Sequence, residues 1–398
     1  MSAESVAWKP ACLSTRLVFL VIGVATACWA VMVPYAKIRL QLDDAQLGSI
    51  LLALGGGAMV AMPLTGHLIK RWGSAQLIRV AGALLVVSIP ALALAPTPWA
   101  LAVLLFIFGA QHGVLDITVN SQAVAVENLA ARPLMSSFHG LYSAGGLVGG
   151  AVLAALLKSG LSLGVCAVAV GLLCAIACVW SYAALIPHGP ADAEEHKTHL
   201  AFNHRGVVII GALCFCAFLT EGAMLDWGAV FLRFERGVNE ASAGIGFSVF
   251  SVAMAVGRLT GDRIIKAFGP FRVVLGGSLI AAAGVLTIVL APLPALSVAG
   301  FVLVGLGASN IVPVLFGAAS RMPGVPASVA LPTAVMMGYT GILLGPALVG
   351  YVAHATSLPL AFGGISLLML LITANAWRVR HTAHPANKEA PASVTVSQ

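Results

Sequence analysis

Leu64–Gly73 reads LTGHLIKRWG, and Leu259–Gly269 reads LTGDRIIKAFG. The two stretches begin 195 residues apart, close to half of the 398-residue chain. Each closes a long apolar run, passes through a short basic link that ends in glycine, and opens another apolar run. A second echo lies nearby: Trp29-Ala30-Val31 and Trp227-Gly228-Ala229-Val230 fall near equivalent run ends. Short matches in apolar sequence are weak one at a time. Their weight comes from agreement with everything around them, which describes a chain built twice over.

The surroundings are overwhelmingly apolar. The chain is 60% hydrophobic and 9% charged, with a mean hydropathy of +1.00. A water-soluble domain of this size could not hide so much apolar surface, so the composition describes a polytopic helical membrane protein. The 43 glycines fit that class, because small residues let membrane helices approach closely. Cutting the runs at charges, prolines and turn residues gives twelve spans: 17–36, 45–69, 76–95, 98–124, 135–157, 161–186, 206–232, 241–266, 271–291, 294–318, 328–353 and 358–379. Ala-Pro-Thr-Pro at 95–98 and Ala-Pro-Leu-Pro at 291–294 divide stretches too long for one crossing. The run beginning at Leu17 is too long for a typical signal peptide and is taken as the first span.

The fold class expected is therefore all-α, with twelve transmembrane helices in two six-helix bundles. The N-terminal bundle is expected over 1–187 and the C-terminal bundle over 206–380. A cytoplasmic linker at 188–205 joins them, and a disordered cytoplasmic tail follows at 381–398. An even span count puts both termini on one side. Sixteen of the 21 basic residues, Arg71, Arg258 and Arg263 among them, fall on the side of the termini. The other five are Lys37, Arg39, Lys158, Arg233 and Arg236. Basic residues gather in cytoplasmic loops, so both termini are expected in the cytoplasm of a bacterial inner-membrane protein.

The net charge of +7 carries no nucleic-acid signature, because no basic cluster is interleaved with aromatics. The seven cysteines read as packing residues without a disulfide framework or metal-ligand spacing. No nucleotide loop and no nucleophile–base pattern stands out, so neither a cofactor nor an enzymatic activity is expected.

Three acids interrupt the apolar runs: Asp116, Glu221 and Asp226. An acid at membrane depth usually faces a protein cavity and handles protons, ions or substrate. His112, Asp116 and Asn120 are spaced by four, which gives the fourth span one polar stripe. Glu221 and Asp226 are five apart, about 140° around a helix, so they cannot both point into one narrow cavity. Glu221 is the deeper and is read as the cavity acid. Asp226 is read as an outer-gate or packing residue. Trp227 is either a stacking face for a sugar ring or an interfacial anchor. His139 and Tyr142 are spaced to share a helix face. Asn310 and Tyr339 are neutral hydrogen-bonding candidates that serve equally well in helix packing.

On these features the chain resembles the major facilitator superfamily over nearly its whole length. Gly66, Arg71 and Gly73 match the family's loop signature, with Lys70 where the family carries an acid. Gly261, Asp262, Arg263 and Gly269 form the second copy, with one extra residue. The resemblance implies that Gly66, Arg71, Gly73, Asp262 and Arg263 serve gating. Glu221–Trp227, Ser137–Gly140, Gly305–Pro313, Gly338–Gly341 and Gly345-Pro346 are similar to the MosC/YbjJ-like branch, which is related to fucose permeases. The family's proton–drug antiporters usually carry an arginine in the fourth span and a Gly-x-x-x-Gly-Pro motif in the fifth. Phe106–Asn120 and Gly140–Gly150 lack these.

The expected function is alternating-access transport of a small polar solute, such as a sugar, polyol or derivative. Proton symport is expected, with Asp116 and Glu221 as carriers, in a protein acting as a monomer within the lipid bilayer. A metabolite or drug exporter is the alternative on the same fold. A non-transporting membrane sensor or assembly protein is the alternative of another class.

Overall fold

The computed structural model describes residues 8–130, 134–186 and 201–382. Most of those residues are helical, with no strand among them. The first bundle holds α1 (Trp8–Arg39), α2 (Asp44–Trp72), α3 (Ser74–Leu94), α4 (Pro98–Ala130), α5 (Met135–Lys158) and α6 (Leu163–Tyr182). The second begins with α7 (Arg205–Phe234), the four-residue α8 (Glu240–Ala243) and α9 (Ile245–Leu290). It continues with α10 (Pro294–Ala308), α11 (Ile311–Ser320), α12 (Ala327–Ala355) and α13 (Leu358–Asn375), and a 3-10 turn follows at Ala376–Thr382. Most of the linker read at 188–205, the tail beyond 382 and Arg132 lie outside the described residues.

Helix limits follow local chemistry. Asp43 caps α2 through a capping box: its carboxylate accepts from the Gln46 backbone N–H at 2.8 Å, and the Gln46 side chain accepts from the Asp43 N–H at 3.2 Å. Ser162 and Ser357 cap α6 and α13 in the simpler one-bond manner. Pro98 and Pro294 stand at the first positions of α4 and α10, where a missing N–H costs nothing. Helix α1 begins nine residues before the apolar run does, because a helical backbone can continue beyond the stretch that lipid requires.

Among the described residues, eleven helical stretches are long and apolar enough to cross a membrane, and one of them, Glu240–Leu290, is 51 residues. At 1.5 Å per residue that stretch is about 75 Å long, far more than one bilayer crossing. Gly269 breaks it with φ 78° and ψ 158°, and Pro270 follows. Gly73, between α2 and α3, has φ 77° and ψ 155°. Only glycine occupies that region without strain. The two copies of the sequence repeat therefore end on the same backbone turn, and the chain makes twelve crossings. The tenth crossing is itself broken between α10 and α11. The break is at Asn310, whose Nδ2 donates to the Gly257 carbonyl of α9 at 2.9 Å.

Helix pairing repeats as well. In the first bundle α1 packs on α5, α2 on α4 and α3 on α6. In the second, α7 packs on α12, and α9 on α10 and α13. The α1–α5 contact depends on small residues: a Cβ at Gly149 would sit 2.7 Å from the Val24 Cα, and one at Gly145 would strike the Leu20 backbone.

Twelve crossings put Trp8 and Thr382 on one side, here called the proximal face. The bundles close on each other toward the distal face. There Gly48 of α2 lies against the Pro346 carbonyl of α12, and the Ser49 hydroxyl is 2.8 Å from the Tyr351 hydroxyl. Asp43 and His354 approach to 3.8 Å, and Gly150 of α5 lies against the Ser248 hydroxyl of α9.

Candidate functional site

Beneath this closure lies a cavity of about 540 Å³ between the bundles. Thr26 of α1 and His139, Tyr142 and Ser143 of α5 line it from one side. Glu221 of α7, Phe247, Phe250, Ser251, Met254 and Arg258 of α9, and Ile342 of α12 line it from the other. Met135, the first residue of α5, also lines it, so the cavity reaches toward the proximal end of that helix.

Its charged centre is an ion pair. Arg258 Nη2 donates to both Glu221 oxygens, at 3.2 and 3.1 Å. Glu221 stands 16 residues into α7, about 24 Å from its proximal end. Arg258 stands 13 residues into α9, about 20 Å from the distal end. Both figures place the pair near mid-span. The side chains are unequally covered: Glu221 is 16% exposed and Arg258 47%. Charge counting assigns Arg258 to the cytoplasmic surface, and the structure corrects that assignment. The helix carries it some ten residues short of the Gly269 turn, into the cavity. The signal available in sequence was an arginine immediately before the repeated Leu259 and directly inside an apolar run.

The polar stripe of α4 divides into two parts. His112 Nε2 lies 3.0 Å from the Thr26 hydroxyl and its Nδ1 lies 3.1 Å from the Phe108 carbonyl. Tyr142 donates to the same hydroxyl at 3.4 Å. His112, Thr26 and Tyr142 thus tie α4, α1 and α5 together by side-chain bonds. One turn closer to the proximal face, Asn120 Nδ2 donates to the Asp116 carbonyl at 2.7 Å and to its carboxylate at 3.2 Å. Asp116 is exposed, has no cationic partner among the described residues, and lies within electrostatic range of Tyr142 and Tyr339.

Other candidates sit elsewhere. Asp226 is 5% exposed, does not line the cavity, and leaves Oδ1 without a hydrogen bond among the described residues. Trp227 is fully buried and donates its indole N–H to the Pro346 carbonyl at 3.2 Å. Its ring packs against α12, so it offers no stacking face to a solute and does not sit at a membrane interface. Tyr339 stacks on Phe218, with ring centroids 5.5 Å apart. Asn310 is buried and serves the bond to α9 described above. Arg71, Asp262 and Arg263 are exposed, with Gly66 and Gly73 half-buried near them at the proximal helix ends. Glu127 accepts from the Leu134 and Met135 N–H groups at the start of α5, at 2.7 and 2.9 Å.

The sequence model for the Major Facilitator Superfamily matches residues 16–330 and 211–396. Over 364 residues the chain is 45% identical to an uncharacterized MFS-type transporter of Yersinia pestis, spanning 91% of this chain and 94% of that protein. It is 30% identical over 343 residues to the membrane protein MosC of Rhizobium meliloti, spanning 85% and 83%. Among solved structures, a mutant of the nucleoside transporter NupG superposes with a TM-score of 0.76 at 17% identity, covering 93% of this chain and all of that one. At that identity the likeness concerns the fold.

Proposed function

The chain belongs to the major facilitator superfamily, and from that premise we propose that it moves a small polar organic solute across a bacterial inner membrane by proton-coupled alternating access. The observation that carries this reading is the mid-span cavity. Both bundles line it, it is closed distally, and it holds charged groups at a depth where lipid would not tolerate them. With both termini in the cytoplasm, this conformation faces inward. Rocking of one bundle against the other would break the α2–α12 closure and open the cavity to the other side.

Asp116 and Glu221 are the proposed proton carriers. Asp116 has no opposing cation among the described residues, so gaining a proton removes a charge that is costly to enclose when the bundles close over it. Glu221 shares Arg258, so its proton state decides whether that guanidinium is neutralised within the protein. His112 and Tyr142, bridged by Thr26, set the surroundings of Asp116. Asp262, Arg263 and Arg71 form the proximal gate when it closes.

The test is uptake into proteoliposomes by purified protein bearing Asp116→Asn or Glu221→Gln. Uptake driven by a pH gradient is expected to fall at least tenfold, about 1.4 kcal/mol of lost coupling, while exchange of solute without a gradient persists. Undiminished gradient-driven uptake in both variants would overturn the assignment.

A further inference from the structure

Arg258 spends only one nitrogen on Glu221. Nη2 makes both bonds, and Nε and Nη1 have no partner among the described residues. The side chain is nearly three times as exposed as that of Glu221, and both residues line the cavity. A planar guanidinium with a free edge in an enclosed site is suited to a planar oxyanion, which it can meet with two parallel hydrogen bonds.

We propose that the transported solute carries a single carboxylate, which docks on the free edge of Arg258 and competes with Glu221 for its charge. The proposal rests on the transport reading above and names its substrate class. The remaining lining fits one charged head on a compact body: Phe247, Phe250 and Met254 offer apolar walls, and Tyr142 and Ser143 offer hydroxyls from the facing helix.

The charge inventory limits the solute to one negative charge. Around the pair, α5 presents His139 and Tyr142 and α12 presents Tyr339, while Asp116 of α4 is outside the cavity lining, within electrostatic range of the two tyrosines. Arg258 is the only one of these that is always cationic. A doubly charged phosphate would bring two negative charges to one guanidinium that Glu221 already shares. A carboxylate faces less repulsion, and a proton on Glu221 removes most of what remains. That proton bonds to a Glu221 oxygen, the Nη2 bonds to Glu221 weaken, and the guanidinium is released to the solute. One proton and one carboxylate then enter together with no net change in cavity charge.

The test uses the full-length protein in detergent, with thermal stability as readout and four probes: gluconate, benzoate, their uncharged amides, and glucose 6-phosphate. Ligand that binds the folded state raises its apparent melting temperature. At least one carboxylate is expected to raise it, more strongly at lower pH, while its amide and the phosphate ester do not. Arg258→Gln is expected to weaken carboxylate binding at least about tenfold. Glu221→Gln is expected to keep binding and lose its pH dependence. If a single substitution prevents folding, Glu221→Gln with Arg258→Gln leaves no charge unpaired, and that double variant is expected not to respond to carboxylates. A response to amides equal to that of the acids, a response to the phosphate ester alone, no response to either acid, or unchanged binding in Arg258→Gln would overturn the proposal. Proteoliposome uptake of the same panel plus neutral sugars separates the two readings. Carriage of sugars without carboxylates overturns the substrate class and leaves transport standing, whereas carriage of nothing in any class overturns transport itself.

Discussion

Asp226 is a carboxyl group enclosed without a hydrogen bond to Oδ1 among the described residues, next to a tryptophan whose indole N–H is bonded. Leaving a buried polar atom unpaired costs about 1–3 kcal/mol. Asp226→Leu is therefore expected to raise the apparent melting temperature, read by differential scanning fluorimetry in detergent. A fall would show that the carboxyl holds a partner the closed conformation needs. The neighbouring acids show what sequence can and cannot say about single residues. Helical phase sets Glu221 and Asp226 about 140° apart, and Glu221 is in the cavity lining while Asp226 is buried outside it. The same reasoning had no means of pairing Glu221 with Arg258, because the two are 37 residues apart and meet only through packing of α7 against α9. Counting positive charges treats an arginine near a span end as a surface residue. Here the helix runs on for ten further residues before it turns.

At the scale of elements, the repeat makes a prediction that compares the protein with itself. Gly73 and Gly269 share a backbone conformation that a Cβ strains, and nothing lies near enough to Gly269 to add a clash. Gly269→Ala is expected to destabilise by about 1–3 kcal/mol, and Gly73→Ala by a similar amount. Equal losses in thermal stability would match the equal angles. A loss at one site and none at the other would mean the two turns are not equivalent. The twelve spans were readable because apolar runs end where lipid ends, and the links hold prolines, glycines and charges. The break at Ser309 and Asn310 was not readable: a Ser-Asn pair in an otherwise apolar stretch does not by itself end a helix, and the break is held by a side-chain bond to another helix. The early start of α1 was missed for the opposite reason, since polarity stops an apolar run without stopping a helix.

For the whole molecule, the duplicated architecture was written in the sequence, and the asymmetry of its closure was not. Which face is shut depends on contacts between bundles that differ little in kind from those within them, such as Gly48 on Pro346 or Ser49 on Tyr351. Two conformations of one packing scheme need differ by only a few kcal/mol, too little for a residue pattern to reveal. The central claim is that two bundles rock about the mid-span pair. It is tested most directly by measuring distances between spin labels at both ends of the same two helices. One pair replaces Ser49 and Tyr351 at the distal ends of α2 and α12, and the other replaces Trp72 and Val329 at their proximal ends. Across a pH titration in lipid nanodiscs, the distal distance is predicted to lengthen as the proximal one shortens, with two populations exchanging weight. Single fixed distances at both ends under every condition, or both ends lengthening together, would contradict alternating access.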